Sequence, residues 1–172
     1  MTDRRLSSLS SEFRPIVVEV LAALTERGIP VMIIQTSRTE AEHQVNLVSE
    51  HSKVKRSKHL PRFLRGYTKL VSGLPDPDVD KADAIDLCPY EVYTLAPGGD
   101  KLSWDTKSPA AKAAWKAIGE EGESRGLRWG GRWAVPYDPG HLELLMPGER
   151  YRDIPATAVA FAMHGVPPGG AG

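Results

Sequence analysis

The stretch Ala84-Ile85-Asp86-Leu87-Cys88 has the apolar content and the length of a short β-strand. Because successive side chains of a strand point to opposite faces, Ile85 and Leu87 share one face and Asp86 lies on the other. The face of Asp86 also carries Ala84 and Cys88, whose small side chains leave room for an ion beside the carboxylate. A solvated carboxylate on an open sheet face fits the same pattern.

A second strand is predicted over residues 141–145, with His141 and Glu143 on one face about 7 Å apart. A metal could bind one of them while the other acts at its edge. Asp138 precedes His141 by three residues across Pro139-Gly140, and a turn there would fold its carboxylate back toward the histidine. The same residues also fit a purely structural interpretation: an edge-strand histidine, a solvated glutamate and an ordinary Asp-Pro-Gly turn. Composition alone favours this structural interpretation.

His59, in the run Ser57-Lys58-His59, completes a ligand set with Asp86 and His141. Two imidazoles and one carboxylate are the protein ligands that a catalytic zinc often has. Asp138 or Glu143 could then take a proton from water. Taken alone, a histidine among lysines is more typical of a solvated loop. Three weaker histidine candidates are His43, His51 and His164.

Arg38 follows a predicted buried strand and could stabilise an oxyanion over the site. It could equally be a surface arginine that pairs with Glu42 at helical spacing.

The composition of the 172-residue chain indicates one globular domain. With 41% hydrophobic residues it can bury a sizeable core, and 22 basic and 22 acidic residues give a net charge of zero. A neutral chain gives no general argument for binding nucleic acid or an anionic membrane. The single cysteine, Cys88, excludes an internal disulfide and a zinc site built from several cysteines. Without a secretory signal or a transmembrane stretch, we expect a monomer that is cytoplasmic as synthesised, without stable membrane association.

Hydrophobic periodicity predicts three helices, over residues 10–27, about 39–49 and 107–124, the second capped by Ser37 or Thr39. Strands are predicted at 31–34, 84–88 and 141–145, and a turn rich in glycine and tryptophan at 127–133. The domain core would span about residues 10–146. Residues 51–81 are predicted to form an inserted surface loop, with a short hairpin at 67–71, and residues 147–172 a C-terminal tail.

In this order the fragments resemble the family of zinc D-Ala-D-Ala carboxypeptidases and L-alanyl-D-glutamate endopeptidases, which includes phage endolysins. The resemblance spans about residues 31 to 145. It is carried by Ser57-Lys58-His59, Ala84-Ile85-Asp86-Leu87, Trp129-Gly130-Gly131-Arg132-Trp133, Asp138-Pro139-Gly140-His141-Leu142-Glu143, and Thr36-Ser37-Arg38-Thr39 with Gln44 after it.

The resemblance implies a single α+β domain in which helices pack on a small, mostly antiparallel sheet, as in the hedgehog/DD-peptidase fold. It also implies a zinc site with named roles. Zinc would be bound by His59, Asp86 and His141, Asp138 would be the general base and Arg38 would stabilise the oxyanion. The substrate-binding residues implied are Ser57, Gln44, Trp133 and Glu143, the last either facing substrate or supporting a metal ligand from behind.

The chain departs from the family pattern Ser-x-His-x-x-Gly-x-Ala-x-Asp-Leu in two places. The segment between His59 and Asp86 is much longer, which leaves His51 as an alternative first ligand, and Ala82 replaces the glycine. We expect the inserted loop to line the substrate groove. Its basic residues would suit the carboxylates of a stem peptide, and they include Lys55, Arg56 and Arg62.

The activity implied is hydrolysis of an amide bond in the peptidoglycan stem peptide, with an endolysin-like L-alanyl-D-glutamate endopeptidase as the first expectation. Such a lysin would act on the cell wall after release from the cytoplasm. A D-Ala-D-Ala carboxypeptidase or dipeptidase is one alternative. The other is a non-enzymatic zinc-binding module of the same fold, against which Asp138 and Arg38 argue.

Overall fold

A computed structural model describes residues 2–49, 57–70, 73–90, 104–134, 137–146 and 149. Its helices are α1 (Phe13–Glu26), α2 (Glu40–Val48) and α3 (Pro109–Ser124), and its strands are β1 (Val31–Gln35), β2 (Ala84–Pro89), β3 (Arg128–Trp129) and β4 (His141–Glu143). The strands form one sheet in the order β1-β2-β4-β3, and each neighbouring pair is antiparallel. The predicted α+β fold with a small antiparallel sheet is confirmed.

Two helix starts follow from capping residues. Thr39 and Glu42 form a capping box at the start of α2, in which each side chain bonds the backbone N–H of the other residue. At α3 the Ser108 side chain accepts from the backbone N–H of Ala111, and Pro109 occupies the first turn. Of the two caps predicted for α2, Thr39 is therefore the one used.

The core lies on one side of the sheet. Helix α1 buries Phe13, Val17 and Leu24 and contacts α3, and the same apolar cluster includes Ile85 and Leu87 of β2. Along β2 only Asp86 is partly exposed, while Ala84 and Cys88, which were predicted to share its face, are fully buried. Within the described residues, no helix combines the length and the apolar character needed to cross a bilayer.

The segment predicted as a surface loop is largely packed into the protein at 57–70 and 73–81. It contains a short 3-10 helix at Arg62–Arg65, and the two end residues are only 2% and 4% exposed. The prediction that Arg62 lines the substrate groove is wrong, because its guanidinium is buried against Asp83 and Asp76. An isolated antiparallel bridge joins Lys69 to Pro75. Parts of this prediction lie outside the described residues, namely His51, Lys55, Arg56 and the end of the predicted hairpin, as does the tail except for Glu149.

Asp83, which is fully buried, is the centre of this packing. Its carboxylate accepts hydrogen bonds from Ser10 Oγ at 2.6 Å, from Arg62 Nε at 2.9 Å and from Arg65. Burial alone would raise the pKa of Asp83, but the hydrogen bonds from Arg62 and Ser10 and the charges of both arginines lower it. We call Asp83, Arg62, Arg65, Asp76 and Ser10 the buried ion network.

The backbone of Asp83 ties this network to the strands. Its N–H donates to Lys58 O at 2.9 Å, and its carbonyl accepts from Leu144 N at 2.8 Å. The turn before His59 and the end of β4 are therefore fixed to one residue.

The prediction of a turn over 127–133 missed a strand. Arg128 and Trp129 pair with Glu143 and Leu142 as β3, and a 3-10 helix follows at Gly130–Arg132. Two residues are too few to give an alternating pattern in the sequence, so periodicity could not show this strand.

Candidate metal centre and active site

Strand pairing brings together three predicted ligands. Asp86 on β2 is the register partner of His141 on β4, so the two side chains share a sheet face. Asp86 Oδ1 lies 2.9 Å from His141 Nδ1 and 3.1 Å from His59 Nε2. One donor atom from each of the three residues falls within 4.8 Å of the others. We call His59, Asp86 and His141 the His-Asp-His cluster.

The outer nitrogen of each imidazole is held by an acceptor. His59 Nδ1 lies 3.1 Å from Thr36 O, and His141 Nε2 lies 2.9 Å from Glu143 Oε2. Because a carbonyl oxygen only accepts, we assign the proton of His59 to Nδ1, and the carboxylate of Glu143 places that of His141 on Nε2. In the neutral form that binds a metal, the remaining lone pairs, on His59 Nε2 and His141 Nδ1, then point at Asp86, whereas a protonated His141 donates to Asp86 instead.

This donor set fits a zinc ion. Two nitrogen lone pairs that face a carboxylate repel it unless a cation lies between them. Donors around a tetrahedral zinc are roughly 3.3 Å apart, close to the 2.9 and 3.1 Å that separate Asp86 Oδ1 from the two imidazole nitrogens. Burial would lower the pKa of His141, but its hydrogen bonds to Asp86 and Glu143 raise it to about 10. The cluster therefore attracts positive charge.

Glu143 lies behind His141. It is 4% exposed, its Oε1 is 3.8 Å from Lys58 Nζ, and it also forms an ion pair with Arg128. Burial would raise the pKa of Glu143, but the bond to His141 and the charges of Lys58 and Arg128 lower it to about 2. Of the two roles predicted for Glu143, support of a metal ligand is the one that its contacts favour.

Asp138 stands at the edge of the cluster, on the predicted turn. Its carbonyl accepts from His141 N at 3.2 Å, and its N–H donates to Gly130 O at 3.2 Å. Burial raises the pKa of the Asp138 carboxyl, with a smaller contribution from Asp86 and partial offset by His141. A raised pKa makes a carboxylate a stronger base, which suits proton transfer from water.

The Trp129-Gly130-Gly131 turn fixes the loop that carries Asp138. The indole Nε1 of Trp129 donates to Pro139 O at 2.8 Å. A Cβ at Gly131 or at Gly119 of α3 would overlap the same indole ring, and a Cβ at Gly130 would overlap Asp138 O. Glycine is therefore required on both sides of the indole and beneath the Asp138 loop.

Arg38 borders the cluster. Its backbone N–H donates to His59 O at 2.9 Å, and its side chain donates to Gln35 Oε1. Burial lowers the pKa of Arg38, whereas the charges of Asp86, Glu42 and Asp138 raise it, so the guanidinium lies within electrostatic range of both site carboxylates. The side chain of Arg38 therefore pairs with Gln35 and not with Glu42, because the Glu42 carboxylate accepts from the backbone N–H of Thr39 in the helix cap.

The remaining predicted site residues differ in placement. The Trp133 ring centroid lies 5.1 Å from that of His141, beside the cluster. Ser57 is buried, and its Oγ accepts from His59 N at 3.3 Å, so it shapes the turn that presents His59. Gln44 is exposed on α2, and the structure records no contact between it and the cluster within the described residues. His43, one of the weaker candidates, is buried on α2.

Sequence reasoning missed an aromatic cleft beside the cluster. The cleft, of about 250 Å³, is bordered by Asp86 and Asp138. Its apolar wall includes Ile34, Trp104 and Tyr137, and the two aromatic residues are 57% and 53% exposed. These residues come from separate segments, so no local motif marks them.

Comparison with known proteins identifies a similar structure and a matching family model. The structure is similar to the crystal structure of the L-Ala D-Glu endopeptidase ChiX of Serratia marcescens, with a TM-score of 0.50 and 20% sequence identity over 84% of this chain and 89% of that chain. At this identity the likeness shows a shared fold. Residues 81–144 match the family model described as D-alanyl-D-alanine carboxypeptidase, a range that includes Asp86, Asp138 and His141. No curated protein sequence matches the chain significantly.

The matching family model is described as a carboxypeptidase and the similar structure as an endopeptidase, so both comparisons are with peptidases. The matched segment covers less than half of the chain, so it supports the resemblance to D-Ala-D-Ala carboxypeptidases and L-alanyl-D-glutamate endopeptidases that the sequence motifs predict.

Proposed function

We propose that this protein is a zinc-dependent peptidase that hydrolyses an amide bond in the peptidoglycan stem peptide, with the L-alanyl-D-glutamate bond as its target. The observation that carries the proposal is the convergence of His59, Asp86 and His141 beside the partly buried carboxyl of Asp138. A binding module has no need of a basic carboxylate and an arginine at such a cluster, whereas amide hydrolysis needs both.

The side chains divide the chemistry among them. His59, Asp86 and His141 would hold zinc, which supplies a Lewis acid for the scissile carbonyl and lowers the pKa of water toward about 7. Asp138 takes the proton of the attacking water and donates it to the leaving amine, so one carboxyl serves both halves of the reaction. Arg38 stabilises the negative charge that develops on the carbonyl oxygen.

A second candidate is a D-Ala-D-Ala carboxypeptidase or dipeptidase, which the description of the matching family model favours. The same residues would act in the same way. Only the position of the substrate in the groove would differ, so the products distinguish the two.

The experiment is digestion of purified peptidoglycan by the zinc-loaded protein, with Asp138→Ala as the control. New N-terminal D-Glu identifies the endopeptidase, and free D-Ala identifies the carboxypeptidase. Asp138→Ala should bind zinc and release neither product. If the wild type binds zinc and cleaves no wall peptide, the proposal fails and the non-enzymatic module replaces it.

The identity of the first ligand needs its own test. We expect His59→Ala to lose zinc and His51→Ala to keep it, as measured by metal analysis after dialysis. The reverse result would move the ligand role to His51.

The endolysin-like role is a further part of the proposal, in which the protein acts as a monomer on the wall after release. Addition of the protein to permeabilised cells should lower their turbidity, whereas Asp138→Ala should leave it unchanged. Hydrolysis of isolated stem peptides without loss of turbidity would separate the chemistry from the bacteriolytic role.

A further inference from the structure

The aromatic cleft at the cluster continues into a second, basic cleft. Thr106 and Tyr137 line both, so the two share a wall. The second cleft has a volume of about 440 Å³. Its other lining residues are Lys112, Lys116, Glu120, Trp129 and Arg132.

The cations of the basic cleft are held in different ways. Arg132 donates to Glu123 from Nε at 2.9 Å and from NH2 at 2.8 Å, and its guanidinium lies 5.8 Å from the centre of the Trp129 ring. Lys116 pairs with Glu120 at 3.0 Å. Lys112 is exposed and forms no ion pair with any residue that the structure describes, so its charge is available to a ligand.

The aromatic cleft also has the features of a ligand-binding surface. Trp104 and Tyr137 expose more than half of their surface next to Asp138. Large aromatic side chains exposed beside a candidate base, and joined to unpaired positive charge, are typical of a binding groove.

We propose that this joined groove binds the arm of the substrate that carries a free carboxylate on one side of the scissile bond. This inference rests on the proposed function, because it assigns the substrate class of the same site. The apolar part of the arm would lie along Tyr137 and Trp104, and the carboxylate would pair with Lys112. A stem peptide suits this arrangement, since its C-terminal residue carries a free carboxylate several bonds beyond the L-alanyl-D-glutamate bond.

The test compares two synthetic stem peptides that differ only in this group, one with the free carboxylate and one with the amide. We expect wild-type kcat/KM to be higher for the acid by about five-fold, the upper range for one exposed ion pair, mainly through KM. Lys112→Glu should abolish that preference by lowering kcat/KM for the acid, and Lys112→Arg should retain it. Arg14→Glu, which changes the charge equally on the exposed side of α1, is the matched control.

Salt gives a second readout. The preference should shrink as NaCl rises, because exposed charges are screened. An equal rate for both peptides in the wild type, or an unchanged preference in Lys112→Glu, would overturn the inference and leave the proposed function intact.

If the wild type hydrolyses neither peptide, the proposed function fails and the groove is tested by binding alone. Tryptophan fluorescence should then report tighter binding of the acid than of the amide, with the difference lost in Lys112→Glu. Equal binding of both peptides would overturn the inference.

Discussion

Asp83 and Asp86 lie three residues apart in the same part of the chain, yet their surroundings differ. Asp83 is fully buried and is surrounded by Arg62, Arg65 and a serine hydroxyl. The side chain of Asp86 is 24% exposed and lies between two imidazoles. Guanidinium groups stay protonated, so the partners of Asp83 never change. Imidazoles can release a proton and bind a metal, so the partners of Asp86 can change their charge and their ligand.

Two carboxylates near the start of β2 therefore have different roles, one structural and one chemical. A carboxylate whose oxygens are bonded to fixed cations holds the chain together. A carboxylate whose neighbours are titratable ligands, on a face that remains partly open, is placed to hold an ion. The first prediction asks whether this division holds at Asp86.

We expect Asp86→Asn to reduce zinc content and hydrolysis to background while the folded structure persists. An amide is a poor zinc ligand, and the buried ion network that fixes the fold is untouched. Metal analysis, peptide hydrolysis and circular dichroism of the purified variant check this result. A variant that keeps zinc and turns over substrate would remove Asp86 from the ligand set.

Asp83→Asn should have the opposite profile. Removal of the carboxylate leaves the buried guanidinium of Arg65 without a carboxylate partner and Arg62 with Asp76 and Glu12 alone, so the free energy of unfolding should fall by about 3–5 kcal/mol. The remaining folded protein should bind zinc with unchanged stoichiometry. Chemical denaturation measures the first quantity and metal analysis the second, and an unchanged stability would contradict a structural role for the network.

Glu143→Gln should weaken zinc binding by about 10–100-fold, because the carboxylate orients His141 and increases its basicity. Competition with a chromogenic chelator gives the affinity. Glu149→Gln provides a matched control, since Glu149 contacts Lys58 but not His141. Equal zinc affinity in Glu143→Gln and the wild type would show that Glu143 does not act through His141.

The smallest expected effect is a difference in acid stability. The pKa of Asp83 is lower in the folded state than its ordinary value of 3.8, so its stabilising contribution is complete above that pH and is lost as pH falls below it. As pH falls below about 4, the free energy of unfolding of the wild type should fall more steeply than that of Asp83→Asn. Denaturation at several pH values measures both slopes, and parallel curves would contradict the lowered pKa.

The sequence was sufficient for most of the architecture because the core is built from regular patterns. The apolar spacing of α1 and the alternation of β2 are local signals, and both correspond to observed elements. The two-residue strand β3 has no period to detect. Its pairing with β4 depends on residues far away in the chain.

The same limit applies to the site. From the residues alone, Asp138 and Glu143 were equal candidates for the base, and the family resemblance ranked them. Arg62 looked like a surface residue because its partners, Asp76 and Asp83, are distant in sequence, so a charge pattern could not reveal that all three are buried. Trp104 and Tyr137 meet in the cleft only after the chain has folded.

Strand β4 has only three residues, and so few backbone bonds specify its alignment weakly. A slip of one residue would turn His141 and Glu143 to the apolar side and place Leu142 opposite Asp86. The contacts of His141 with Asp86 and Glu143 oppose that slip. The residues that would hold the ion therefore also select the correct strand alignment during folding, and a chain that has paired its strands wrongly would have no site to fill.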